Sequence, residues 1–184
     1  MGSLLVTFAG VAQGEWIIDR SIAVIGAGLD DVAAVDVIEG WDAPVPDAAW
    51  TLRGVVSNDR YLERRELDAL VEVQQGVGRP QATNAALIPI RKTDGWWVLT
   101  QAERREILEA SSHHIAIGLE YLPAVARRLH HSRDLNEPFD FLTRFEFAPA
   151  DEPAFDELLA RLRATPEWAY VEREVELRLT RSPI

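Results

Sequence analysis

Ser112-His113-His114-Ile115-Ala116-Ile117-Gly118-Leu119-Glu120-Tyr121-Leu122-Pro123, running on through Ala124-Val125-Ala126-Arg127-Arg128-Leu129-His130-His131, holds all four histidines of a 184-residue chain. They form two adjacent pairs with an arginine pair between them. On one straight helix, His114 and Arg127 would stand about 20 Å apart and on largely different faces. Gly118 and Pro123 both discourage an unbroken helix, and Pro123 pushes Leu122 towards extended geometry. The chain is therefore expected to turn here. A turn can bring an imidazole on one helix and a guanidinium on the next to opposite sides of one bound group. The same pattern also fits two surface helices whose polar residues are merely solvated.

Outward from this stretch, Thr100-Gln101-Ala102-Glu103 matches a capping box, which predicts a helix over 101–114 with His113 and His114 at its end. Residues 139–147 alternate strictly, placing Phe139, Phe141, Thr143, Phe145 and Phe147 on one face of a strand. A short amphipathic helix over 155–162 turns Leu158, Leu159 and Leu162 inward. Residues 170–179 alternate again, Val171, Val175, Leu177 and Leu179 against Glu172, Glu174, Glu176 and Arg178. Upstream, 50–57 reads as a strand, 60–75 as a helix and 85–90 as a buried strand, in which Pro89 points to an edge or bulge. Trp96 to Leu99 reads as a further β segment. The first forty residues hold β-like runs at 4–8 and 16–25, followed by a proline-spaced loop at 41–47. The order strand–helix–strand thus occurs at 50–90 and again at 139–180. It predicts two similar α+β halves whose antiparallel sheets share one core.

Composition narrows the chemistry. A hydrophobic fraction of 47% argues against disorder, and no apolar run is long enough to span a membrane. No basic flank precedes the first apolar residues, so a secretory signal is not expected and the cytoplasm is the expected compartment. A net charge of −11 disfavours duplex DNA and anionic membranes as partners, and an anionic substrate would need a local cation such as Arg127 or Arg128. Cysteine is absent and the one methionine is Met1. Disulfides, zinc-thiolate sites, iron–sulfur clusters and covalent Cys-x-x-Cys-His haem attachment are thereby excluded. Any haem would be held without a thioether link, by His or Tyr. Neighbouring helical residues point about 100° apart, so at most one histidine of each pair can ligate a given centre. His130 and His131, following two arginines, read as a helix carboxyl end suited to cations.

Several segments together resemble the chlorite dismutase family, best in its short, dimeric branch. They are Gly78-Arg79-Pro80, 86–92 (ALIPIRK), Gly95-Trp96-Trp97, 112–123, 126–135, 139–143 (FDFLT), 145–149 (FEFAP) and 165–168 (TPEW). The resemblance runs from about residue 50 onward. It implies a homodimer whose subunits each pair two ferredoxin-like halves in a dimeric α+β barrel-type fold, a shortened half over 1–95 and a haem-binding half over 96–184. It implies haem b with His114 as the iron ligand, and Glu167 and Lys92 behind that histidine. Arg127 and Gln74 correspond to the distal catalytic residues, and Leu129, Thr143 and Phe145 to the distal wall. Asn58, Tyr61, Trp96 and Trp97 match the propionate side and rim more loosely. Arg144 departs from the family pattern, and strand alternation sets it away from the haem, where consequences for the dimer or the surface are expected.

The activity so implied is chlorite O2-lyase, turning chlorite into chloride and dioxygen through a ferryl/hypochlorite pair. Relatives that decarboxylate coprohaem carry Gln or another residue at the arginine position, whereas this chain has Arg127, a cation able to hold a leaving hypochlorite. The alternatives are a peroxidase-like or coprohaem-processing enzyme, or a non-catalytic haem-binding protein of the same fold.

Overall fold

Eight segments of the chain form strands, and the computed structural model, which describes residues 4–57, 63–73 and 75–183, closes them into one antiparallel barrel. The strands are β1 Leu5–Val11, β2 Trp16–Ile25, β3 Ala34–Glu39, β4 Trp50–Val56, β5 Asn84–Lys92, β6 Ala126–His131, β7 Phe141–Phe147 and β8 Val171–Arg181. Their order around the barrel is β1-β3-β2-β8-β5-β7-β6-β4. This resolves into two runs of four, β4-β1-β3-β2 and β8-β5-β7-β6, each with its fourth strand beside its first and its third between first and second. Each run has the ferredoxin-like order. β2 pairing with β8 and β4 pairing with β6 join the two runs. The strand order groups β5 with β6–β8.

The pleat sends alternate residues to opposite sides. Val6, Phe8, Trp16, Leu52, Leu87, Leu142 and Leu177 fill the barrel. Ile88, Phe145 and Phe147 face outward from the second run and meet Phe155, Leu158, Leu159 and Leu162 of α5, the helix Glu152–Arg163. The remaining helices are α1 Arg64–Val73, α2 Asp94–Trp97, α3 Gln101–Arg105 and α4 His114–Glu120. Among the described residues, no helix is long and apolar enough to cross a membrane.

Several expectations change. Trp96 does not begin a strand: Asp94–Trp97 is one helical turn, because Thr93-Asp94-Gly95 starts a helix as readily as a hairpin. Pro89 lies in a strand flanked on both sides, but the β5–β8 ladder skips Ile88 and Pro89, so its missing N–H interrupts no pairing there. Phe139 precedes β7 and packs inside the barrel, apart from Phe145 and Phe147 outside it. Residues 126–131 form β6, so Arg127 rises from a strand and not from a second helix, and His130 and His131 close no helix.

On the polar side of 170–179, Glu172 is exposed but its neighbours are not. Glu174 and Glu176 are buried beneath α5, where Arg163 meets them at 2.6 and 2.7 Å and Arg178 meets Glu176 at 2.6 Å. Arg144 does point opposite to Thr143 and Phe145, as alternation requires, yet it is not at the surface. It is buried, pairs with Glu146, and lies over the ring of Trp16 at 5.4 Å.

Candidate active site

The expected helix over 101–114 starts as predicted and then changes pitch. Thr100 Oγ1 accepts from Glu103 N at 3.3 Å, while the Glu103 carboxylate accepts from Thr100 N at 2.7 Å. After Arg105 the helix widens into a π-helical stretch, Glu106–Ser111. His113 then takes a left-handed backbone (φ 53°), which breaks the axis, and α4 begins at His114. The Glu109 carboxylate reaches forward to accept from Ile115 N at 2.8 Å and Ala116 N at 3.4 Å, satisfying donors at the start of α4. His114 therefore opens a helix instead of ending one, and its ring is fixed by this kink.

Behind His114 lies a short chain of charge. Lys92 Nζ donates to Glu167 Oε1 at 2.6 Å, and Glu167 Oε2 lies 2.6 Å from His114 Nδ1. Lys92 and Glu167 are each only 4% exposed. Glu167 N donates to Ser112 Oγ at 3.0 Å, and Lys92 N to Asp140 Oδ2 at 2.7 Å, so both backbones are pinned. Burial on its own would raise the Glu167 pKa. The charges of His114 and Lys92 and their hydrogen bonds outweigh it and bring the carboxyl down to about 2. A carboxylate so held commits His114 Nδ1 as a donor and leaves Nε2 as the nitrogen able to bind a metal.

Arg127 and Leu129 of β6 and Thr143 and Phe145 of β7 are cross-strand neighbours, Arg127 opposite Phe145 and Leu129 opposite Thr143. They form a sheet wall on one side of a cavity whose other side is the helix wall of His114. Desolvation presses the Arg127 pKa below the ordinary guanidinium range, and the Glu109 charge opposes this. Arginine nonetheless stays cationic at neutral pH.

Eight residues singled out from sequence line this cavity: His114, Lys92, Glu167, Trp96, Arg127, Leu129, Thr143 and Phe145. Trp97 does not. It stacks on Phe141 (5.9 Å between centroids, 20° between planes) with Arg133 over its ring at 4.0 Å, one layer behind the lining. Asn58, Tyr61 and Gln74 lie outside the described residues. Phe141 and Trp168, quoted from sequence but given no role in the site, also line the cavity, and Glu109 and Ser112, likewise given none, position its helix wall. Ser112 adjoins the histidine pair and was open to suspicion. Glu109 was not, because the π-helical turn shifts the spacing by which a capping carboxylate is recognised.

The match to known sequences falls on this same region. Residues 43–182 fit the sequence pattern of the family described as chlorite dismutase. The chain belongs to the chlorite dismutase family. It is 51% identical to the dimeric chlorite dismutase of Nitrobacter winogradskyi, whose crystal structure superposes with a TM-score of 0.89 over 96% of this chain and 99% of that one. The chlorite dismutase of Ideonella dechloratans is 37% identical over 86 residues, which are 47% of this chain and 28% of that longer relative. A chlorite dismutase from Candidatus Nitrospira defluvii, solved with imidazole, shares the fold at 20% identity, with a TM-score of 0.65 over 100% of this chain and 93% of that one.

Proposed function

We infer that this member of the family is a haem b chlorite O2-lyase, converting chlorite to chloride and dioxygen, and that it works as a homodimer. The observation that carries the reading is the buried Lys92–Glu167 pair bonded to His114, lining one largely apolar cavity together with Arg127. A haem fits the residues present. Among the described residues no three His, Asp or Glu side chains converge to hold a bare ion, so a metal on His114 needs its other ligands from elsewhere, as a porphyrin provides. The Trp96 indole N–H is buried, lies in the cavity lining and has no partner among the described residues, which suits an acceptor such as a propionate. Ile88, Phe141, Phe145 and Leu159 offer apolar surface to a macrocycle.

His114 Nε2 would hold the iron, and Glu167 would give the imidazole anionic character through Nδ1. Lys92 neutralises the carboxylate, so the buried chain does not carry an uncompensated negative charge. When bound, the haem supplies the redox-active iron that chlorite chemistry requires. Arg127 draws an anion into a protein whose net charge of −11 repels it, and holds the negative charge that leaves when a Cl–O bond breaks. Leu129, Thr143 and Phe145 keep the space around that anion narrow and largely dry, which strengthens the cation's hold.

Purified protein supplied with haem is expected to show a Soret band and to release one dioxygen per chlorite consumed, read with an absorption spectrum and an oxygen electrode. Colourless protein, or a haem-loaded protein that consumes chlorite without evolving oxygen, overturns the reading. Light scattering in solution should give twice the 20.6 kDa chain mass.

A further inference from the structure

Glycine is expected to weaken a helix, yet Gly118 lies buried in the middle of α4, one turn after His114, and does not end it. The reason is on the opposite wall of the cavity. A Cβ at Gly118 would stand 2.2 Å from Arg127 Nη1, 3.0 Å from Cζ and 3.4 Å from Nη2. All three of its nearest neighbours belong to one guanidinium, and none is backbone. The bare α-carbon is thus the surface against which the Arg127 guanidinium rests after crossing from β6. The backbone of Gly118 permits any residue, its φ being negative and helical, so only the space explains the glycine.

We propose that Gly118 is a positioning residue for the anion site: by lacking a side chain it seats the Arg127 guanidinium against the helix that carries His114. This rests on the functional reading in taking Arg127 as the anion-holding group. A methyl group at 118 removes the seat. The guanidinium, at the far end of a flexible side chain, moves off α4 instead of the backbone moving, and the cation leaves the place where it faces the anion. The fold is spared, because Ala is the better helix former.

The test compares haem-loaded wild type, Gly118→Ala, Arg127→Ala and the double variant. Crystal structures read the guanidinium position, and fluoride titration followed by visible absorption reads anion affinity. Gly118→Ala should displace the guanidinium from α4 and weaken fluoride binding about tenfold, the loss of one charge-assisted contact. In the Arg127→Ala background the same substitution should change fluoride affinity by less than about twofold, since residues acting through one another are not additive. If Gly118→Ala lowers the melting temperature, adding Arg127→Ala should restore it, because the guanidinium is the nearest obstacle. A guanidinium that keeps its place beside Ala, equal weakening with and without Arg127, or a melting loss that Arg127→Ala does not repair would each overturn the proposal. A wild type that evolves no oxygen while its guanidinium still moves on Gly118→Ala would sink the chlorite reading and leave this one standing.

Discussion

The two halves of the barrel have the same strand order and differ in what lies on their outer faces. Outside β5–β8, α4 and α5 lie over the sheet and enclose a cavity. Outside β1–β4 the apolar cluster of Ala9, Val11 and Ala34 includes no helix residue among the described ones. β2 shows much of its outer side to solvent, and a loop residue, Ala48, packs against Ala9, Val11 and Ala34. Identical frames therefore give a site in one case and only a barrel wall in the other. The sheet fixes where Arg127 and Thr143 emerge, and the helix layer supplies the ligand and the enclosure.

The largest expected effect follows directly. His114→Ala should strip the helix wall of its only proposed bond to iron, and the purified variant should lose most of its Soret absorbance per chain, with haem passing readily to apomyoglobin. A full Soret band would break the comparison, since the helix layer would then not be what holds the cofactor.

Next in size is the anchoring of that layer. Phe155 is fully buried on α5, 4.7 Å from the ring of Phe147 and 5.1 Å from that of Phe145. Phe155→Ala should cost about 3–5 kcal/mol in urea unfolding. On the uncovered half, Ile17→Ala should change stability by less than about 0.5 kcal/mol, because Ile17 is 39% exposed. Similar losses at both positions would mean that the outer face of β2 is covered in solution.

How much of this the sequence disclosed depended on whether a residue's role was local. The capping box at Thr100, the face of α5 and the alternation of β7 rest on spacing alone and could be read directly. So could the motif residues His114, Glu167 and Lys92, whose neighbours are dense in family-like sequence. Arg127 was identified but set on a helix, because 126–131 (ARRLHH) is polar on both sides of a strand that is covered on both sides, and neither period shows. The burial of Glu174, Glu176 and Arg144 was hidden for the same reason: a charge paired across elements looks, in one dimension, like a charge in water. Trp96 and Trp97 are adjacent letters with different fates, separated only by a helical turn too short to have a period.

The seam between the halves offers a smaller effect. His130 on β6 is fully buried, its ring edge-on to Phe8 of β1 at 5.1 Å, with Nδ1 donating to Leu142 O at 2.9 Å. Burial lowers its pKa to about 4; the Leu142 carbonyl works against this, and Arg128 and Arg144 reinforce it. Its folded pKa thus lies below its unfolded value of 6.5. Above pH 6.5 the neutral ring imposes no pH dependence, and as pH falls towards 4 the unfolded chain binds the proton first. Stability should decline by up to about 3 kcal/mol across that window. Urea unfolding at several pH values should show this loss in the wild type and a shallower slope in His130→Asn. An unchanged slope would place the acid sensitivity outside the seam.

The smallest effect isolates the helix layer's starting point. The Thr100–Glu103 capping box is exposed and touches neither the cavity nor the barrel, so it acts only on where the chain begins to coil after α2. Thr100→Ala should cost about 1 kcal/mol. Because the π-helical turn and the kink at His113 stand between this cap and α4, the loss should stay local. Haem retention and the Soret position should match the wild type, while amide exchange quickens over Gln101–Arg105. If haem loss accelerates together with that exchange, α3 and α4 form one cooperative unit, and the kink transmits strain where its left-handed residue is expected to absorb it.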